Sequence, residues 1–207
     1  MLRHGKEIEE GETAQILHDA RQDYTRRLVA VRGAAASERA NRQTVSPEAV
    51  LKVENIHASY GPVKVINNVS LDVKRGETVA VVGESGSGKS TLARVVTGLL
   101  PQTQGTVEYK GASLPPALAS RTREMKRTIQ LVYQIPDVAL NPRQTLREII
   151  GRPVEFYFNK SGADVEKRVK ELLELVELPA DFANRRSTAL SGGQKQRVCI
   201  ARALAAN

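Results

Sequence analysis

The run Gly83-Glu84-Ser85-Gly86-Ser87-Gly88-Lys89-Ser90 matches the pattern G-x-x-x-x-G-K-[ST] at every fixed position. Glycines at this spacing let the backbone curl until successive N–H groups point inward, toward the oxygens of a phosphate. Lys89 would bridge the β- and γ-phosphates, the Ser90 hydroxyl suits Mg²⁺, and Thr91 is placed to reach the α-phosphate. The plain alternative is a flexible Gly/Ser turn. Context argues against it: Thr78-Val79-Ala80-Val81-Val82 reads as a strand buried on both faces, and a helix is expected from about Lys89. Strand, glycine loop and helix N-terminus in that order bring the helix's partial positive charge to the same spot. The expected ligands are therefore ATP and Mg²⁺.

A second glycine motif, Leu190-Ser191-Gly192-Gly193-Gln194-Lys195-Gln196-Arg197, precedes an amphipathic helix. Alone, Ser-Gly-Gly is a common helix-start turn. Paired with a phosphate loop about a hundred residues upstream, it resembles the ATPase subunits of ABC transporters, whose second motif is Leu-Ser-Gly-Gly-Gln. The resemblance covers residues 50–207 continuously. It implies that two ATPase domains face each other head to tail. Ser191, Gly192, Gly193 and Gln194 would then address ATP held by the partner's phosphate loop, again through N–H groups, a hydroxyl and a helix N-terminus.

Further positions fit the same family. Tyr60, in Ala58-Ser59-Tyr60-Gly61, lies where the family places an aromatic that stacks on adenine; its plain alternative is a strand-end tyrosine. Stacking through the ring face implies that the phenolic hydroxyl is dispensable. Gln134, in Val132-Tyr133-Gln134-Ile135-Pro136, matches the family glutamine that touches Mg²⁺ or the attacking water. It is the expected catalytic contributor and, with Ser90, an expected metal contact. Here Ile135 stands where the usual pattern, Gln-Asp-Pro, has an acid. Leu140-Asn141-Pro142-Arg143 is similar to the dipeptide/oligopeptide importer branch, which includes nickel and glutathione importers. That resemblance implies membrane permease subunits as partners, a peripheral location at the cytoplasmic face of the inner or plasma membrane, and transport of peptides or related small solutes.

The elements that must position these residues follow from patterning. Val50–Ile56 and Val69–Val73 alternate as half-buried strands. Residues 143–178 are mostly helical; Ser161-Gly162-Ala163-Asp164 is a capping-box candidate, Val165, Val169, Leu172, Leu173 and Val176 form an apolar stripe, and Pro179 ends the helix. The expected fold is α/β: a P-loop NTPase core sheet with an antiparallel β subdomain near 50–75 and a helical subdomain near 115–190, truncated at its C-terminal side.

Residues 1–32 combine a polar strand-and-turn at Glu7–Thr13, a helix capped by Thr13 and running through Arg21 (Ile16, Leu17 and Ala20 on one face), and a short helix from Asp23 to Val31. Glu9-Glu10-Gly11-Glu12-Thr13 followed by Asp23-Tyr24-Thr25-Arg26-Arg27-Leu28 looks like the C-terminal end of an ATPase domain of the same branch. Residues 33–49 have no periodicity and read as a linker. The chain thus reads as the tail of one ATPase domain (1–32), a linker (33–49) and an ATP-binding domain (50–207), as in tandem-fused ATPases, with the second ATPase domain possibly supplied by the same full-length chain. The family's next elements are a strand ending in a Mg²⁺-binding Asp, a catalytic Glu and a switch histidine. None is found by Asn207, and His4, His18 and His57 all precede Lys89. The expectation is a fragment of a longer ATPase, deficient in turnover.

Composition restricts the rivals. The formal net charge is +8, with the first 49 residues balanced, so the whole excess lies beyond them. It is scattered, and aromatics make up only 4% of the chain, so stacking platforms for nucleic acid are scarce and none is expected as a partner. No run of 18 apolar residues occurs. The single cysteine, Cys199, forms no internal disulfide and reads as a small core residue of a helix. Two alternatives stay open: a soluble ABC ATPase acting on ribosomes or DNA, and a non-catalytic nucleotide-binding fragment.

Overall fold

Residues Ala49–Tyr60 and Val63–Lys74 are rich in Val and Ile, and they pair antiparallel around a Gly61-Pro62 turn in which Gly61 has φ +56. In the computed structural model this hairpin is the backbone of a four-stranded antiparallel sheet. Its order is Val63–Lys74, Ala49–Tyr60, Gln104–Tyr109, Ala112–Ser113. The model describes residues 2, 3, 6, 7, 9, 13–27, 29 and 48–207. They fall into two units, one of residues 1–48 with 75–77 and one of residues 49–74 with 78–207.

In the larger unit the register runs Leu51↔Val73 and Val53↔Leu71 on one side, and Leu51↔Tyr109 and Val53↔Val107 on the other. Simple alternation along the central strand fails at Asn55, where φ is +49 and the register slips on both sides. One extra residue there turns both Val53 and Ile56 into the core. Gly105 (φ +87) faces the irregularity, and a Cβ there would run into the carbonyls of Glu54 and Asn55.

The sheet's inner face, Val53, Ile56, Ala58, Ile66 and Val107, packs on Leu92 and Val95 of the helix Lys89–Val96. Burying two such side chains contributes roughly 1.5–3 kcal/mol each, and this contact fixes the phosphate-loop helix against the hairpin.

A second core is helical. The helix Leu146–Phe158 starts at a complete capping box: Thr145 N–H donates to Glu148 Oε2 at 2.7 Å and Glu148 N–H to Thr145 Oγ1 at 3.3 Å. It packs on the helix Ala163–Leu175, whose Val165, Val169, Leu172 and Leu173 are fully buried, as the stripe predicts. Gly151 allows the close approach, because a Cβ there would lie 2.8 Å from Val165 Cγ1. The Ser161–Asp164 capping box does not form. Gly162 is the N-cap, with φ +57 and no side-chain hydrogen bond, so Ser161 lies one residue too early. Asp164 and Glu166 instead supply negative charge to the first turn. The helix ends at Leu175, and Glu177 (φ +57) turns the chain before Pro179 is reached. The terminal helix Gly192–Leu204 closes this core with Val198, Cys199 and Ala201.

Thr78–Val82 departs from expectation: it is not a strand. Val79, Val81 and Val82 are 39%, 48% and 87% exposed. A strand exists only where a neighbour pairs its N–H and C=O groups, and among the described residues no strand pairs with this run. The antiparallel β and helical subdomains of the expected α/β architecture are both present.

In the smaller unit Leu2–Arg3 pairs with Lys6–Glu7. The helix spans Thr13–His18, so Thr13, read as its cap, is its first residue, and it ends short of Arg21. The reason is Glu9, only 8% exposed. Its carboxylate accepts the N–H groups of Arg21 (2.8 Å) and Gln22 (3.1 Å) and the Gln15 side-chain amide (3.2 Å). Those two backbone donors serve the start of the next helical stretch, residues 23–27, rather than continuing the first. The same hydrogen bonds, led by that from Arg21, hold the Glu9 pKa at about 2. The expected linker falls at 33–47 outside the described residues, and Ala49 already belongs to the sheet.

Candidate nucleotide-binding site

The phosphate loop is built as its glycines require. Gly86 and Gly88 have φ +86 and +97, and Gly83 has φ +158. A Cβ on Gly83 would lie 2.8 Å from Ser87 Oγ, and one on Gly88 2.8 Å from Ile66 Cδ1. Glu84, Ser85 and Ser87 are exposed along the loop. Lys89 folds back over it: the ammonium donates to the carbonyls of Gly83 (2.8 Å) and Glu84 (2.6 Å) and to Ser87 Oγ (3.3 Å). One lysine thus sets the curvature of the loop and carries a positive charge at its centre.

The two glycine motifs differ in how their helices begin. At the phosphate loop the N-cap is Gly88, in left-handed conformation, with no side-chain cap. The first helical bond is Leu92 N–H to the Gly88 carbonyl at 2.9 Å, so the N–H groups of Lys89, Ser90 and Thr91 have no acceptor within the helix. These donors, together with the helix dipole, fit an anion. At the second motif Ser191 is the N-cap of a complete capping box. Its Oγ accepts Gln194 N–H at 3.3 Å, and its own N–H donates to Gln194 Oε1 at 2.9 Å. The helix-start turn weighed from sequence is what forms locally, while Gly192 and Gly193 stay exposed with open space where a Cβ would sit.

A cleft of about 700 Å³ opens beside the phosphate loop, a size usual for small-molecule sites. Lys89, Ser90, Arg94 and Gln134 line it together with Val79 and Val81. The structure thereby brings the sequence-predicted Lys89, Ser90 and Gln134 to one cavity. Thr91 is buried, and neither it nor Tyr60 lines the cavity. Ser191, Gly192, Gly193 and Gln194 do not line that cavity.

Tyr60 ends its strand 41% exposed, and its hydroxyl accepts a hydrogen bond from Arg94 Nη1 at 2.8 Å. That bond, aided by the Thr91 hydroxyl, holds the phenol below its ordinary pKa. Sequence reasoning missed Arg94, since nothing in local spacing relates position 94 to position 60. It also missed the anchoring of the Gln134 loop. Ile135 is exposed and carries no acid, but Asp137, two residues on, accepts from Lys195 Nζ of the terminal helix at 2.6 Å. The same helix sends Gln196 Nε2 to the Tyr133 carbonyl (3.4 Å) and Arg202 Nη1 to the Ala139 carbonyl (2.5 Å).

Comparisons with known proteins agree with this geometry. The family model described as ABC transporter matches residues 66–207. A protein of Brucella abortus (strain 2308) named as a peptide import ATP-binding protein is 46% identical over 145 residues, 70% of this chain and 43% of that one. The nickel import ATP-binding protein NikE of Brucella suis biovar 1 (strain 1330) is 40% identical over 166 residues, 79% of this chain and 62% of its own length. The chain thus spans about half the length of the curated relatives it matches. Among solved structures, the ATP-binding cassette MJ0796, in a dimeric post-hydrolysis state bound to ADP and Pi, superposes with a TM-score of 0.66 at 36% identity, covering 76% of this chain and 70% of that one. The cbiO1 protein of Clostridium perfringens, part of the cbiONQ transporter complex, gives 0.64 at 26% identity, with 77% and 62% covered. A phosphate loop on an uncapped helix, a glutamine lining the same cavity as its lysine and a Leu-Ser-Gly-Gly-Gln helix start therefore occur here in a chain that belongs to the ABC transporter family, in the branch of its peptide- and nickel-import ATP-binding proteins.

Proposed function

We propose that this chain binds ATP with Mg²⁺ in the cleft beside Lys89 and serves as the ATP-binding part of an importer for peptides or related small solutes. The observation that carries it is a helix start whose first three N–H groups have no acceptor within the helix, on the element that brings Lys89 and Ser90 to one cavity with Gln134. Loop N–H groups from Gly83 to Ser90 and the Lys89 ammonium hold the phosphates, Thr91 lies under the α-phosphate, and the Tyr60 ring takes the base. Ser90 and Gln134 are assigned to Mg²⁺. Among the described residues no cluster of three His, Cys, Asp or Glu offers a metal site. An ion at Ser90 would therefore draw most of its ligands from phosphate and water oxygens, as Mg²⁺ commonly does. When bound, it neutralises charge that develops on the phosphates.

We further propose that Ser191, Gly192, Gly193 and Gln194 act toward a second ATPase domain; the exposure of the first three and the absence of all four from the chain's own cleft support this. The boundary between structural units at Glu48/Ala49 supports assigning residues 1–32 to a preceding ATPase domain, 33–49 to a linker and 50–207 to the ATP-binding domain. Permease subunits at a cytoplasmic membrane face are the proposed partners, and no helix among the described residues is long and apolar enough to cross a membrane itself.

Titration of ATP with Mg²⁺ against wild type and Lys89→Ala tests the site. Loss of charged hydrogen bonds to phosphate should weaken binding by about ten- to a hundredfold. Equal binding by the two proteins would overturn the assignment.

A further inference from the structure

Tyr60 sits at the last position of its strand, just before the Gly61-Pro62 turn. The residue is 41% exposed, so its ring is only partly covered by packing. What restrains it is polar: the 2.8 Å bond from Arg94 Nη1 to its hydroxyl, aided by the Thr91 hydroxyl. Arg94 belongs to the last turn of the helix that starts at Lys89, and it is three residues after Thr91, so the two share a helix face. Buried Leu92 and Val95, on either side of Arg94 in sequence, fix that helix against the sheet. The guanidinium therefore springs from a rigid base, while the tyrosine springs from a strand end.

We propose that Arg94 is a positioning residue for nucleotide binding, holding the Tyr60 ring beside the phosphate-loop helix so that the base meets a pre-set stacking surface. This rests on the reading of Tyr60 as the base contact. An aromatic face attracts a base wherever it points, but stacking counts fully only if the ring is already oriented. The tyrosine hydroxyl, dispensable for stacking itself, becomes the handle by which the ring is aimed. Arg94 also lines the cleft with Lys89 and Ser90, so its charge could instead act on phosphate directly. The two roles separate by ligand: a positioning residue matters for ATP and not for a phosphate chain lacking a base.

The experiment titrates ATP and inorganic tripolyphosphate against the full chain and the variants Arg94→Met, Tyr60→Phe, Arg94→Met/Tyr60→Phe and Tyr60→Ala. Arg94→Met keeps the aliphatic stem, and retained tripolyphosphate binding shows that the loop is folded. Arg94→Met and Tyr60→Phe are each expected to weaken ATP about three- to tenfold, the range that ordering one side chain before binding supplies. The double variant should lose no more than either single one, with tripolyphosphate unaffected throughout. The phenol of Tyr60, located by difference against Tyr60→Phe in an ultraviolet titration, should move back up toward its ordinary range in Arg94→Met. Additive losses, or an equal loss of tripolyphosphate in Arg94→Met, overturn the positioning role. If Tyr60→Ala binds ATP as wild type does, the underlying stacking assignment fails instead.

Discussion

Three side chains of the terminal helix hold the loop that carries Gln134, and their energies should rank in an order the structure dictates. Lys195 and Asp137 are 2.6 Å apart, but the Asp137 side chain is 65% exposed, so the pair is worth about 0.2–1 kcal/mol. Gln196 reaches the Tyr133 carbonyl at 3.4 Å, a long neutral contact at the weak end of the range. Arg202, half-buried, donates to the Ala139 carbonyl at 2.5 Å. A hydrogen bond from a charged group contributes about 1.5–3 kcal/mol, so Arg202 should dominate. Denaturant melts of Arg202→Met, Asp137→Asn and Gln196→Ala are expected to lose stability in that order. Hydrogen exchange at residues 133–139 should accelerate most in Arg202→Met. The ion pair should also weaken with salt while the Arg202 contact does not. If Asp137→Asn destabilises more than Arg202→Met, or if exchange in this loop ignores all three changes, the terminal helix is not what anchors the glutamine loop.

Other expectations are independent of these. Gly151→Val should destabilise by about 1–3 kcal/mol through collision with Val165, read by thermal or denaturant melting, with no change at the phosphate loop. Leu172→Ala, at a fully buried position, should lose about 2–5 kcal/mol in the same assay. Cys199 should resist thiol reagents until the chain unfolds, because burial both hides the thiol and pushes its pKa up. Glu9 titrates well below its ordinary value, so the stability it gives the smaller unit is present above about 4.5 and is lost as pH falls toward about 2. Exchange at the Arg21 and Gln22 amides should rise across that window in wild type, and Glu9→Gln should remove the pH dependence.

What the sequence makes legible is what neighbours in sequence can settle. The glycine turn of the phosphate loop, the helix start at Lys89 and the stripe from Val165 to Leu173 each depend on spacing within about a dozen residues, and each forms as read. The two strands expected at 50–56 and 69–73 run further, as Ala49–Tyr60 and Val63–Lys74. The bond from Arg94 to Tyr60 joins positions 34 residues apart, and that from Lys195 to Asp137 joins positions 58 apart. Both pairs are exposed polar contacts that leave no periodic trace in the chain.

Thr78–Val82 shows the same limit from the other side. Its β-branched residues favour extended backbone, and that preference is expressed in a chain that runs unhelical from residue 77 into the loop. Propensity selects a conformation for one segment, whereas a strand is a relation between two. The hairpin brings its own partner two residues away, so preference and pairing arrive together. For the run before the phosphate loop any partner must come from far along the chain, and no residue within the run encodes which one. Yet the loop that follows keeps its shape. Gly88 is set against Ile66 and Val65 of the hairpin, Lys89 closes on the carbonyls of Gly83 and Glu84, and Leu92 and Val95 seat the helix on the sheet. The phosphate site is therefore held from its helix side, with no strand among the described residues paired to the segment that leads into it.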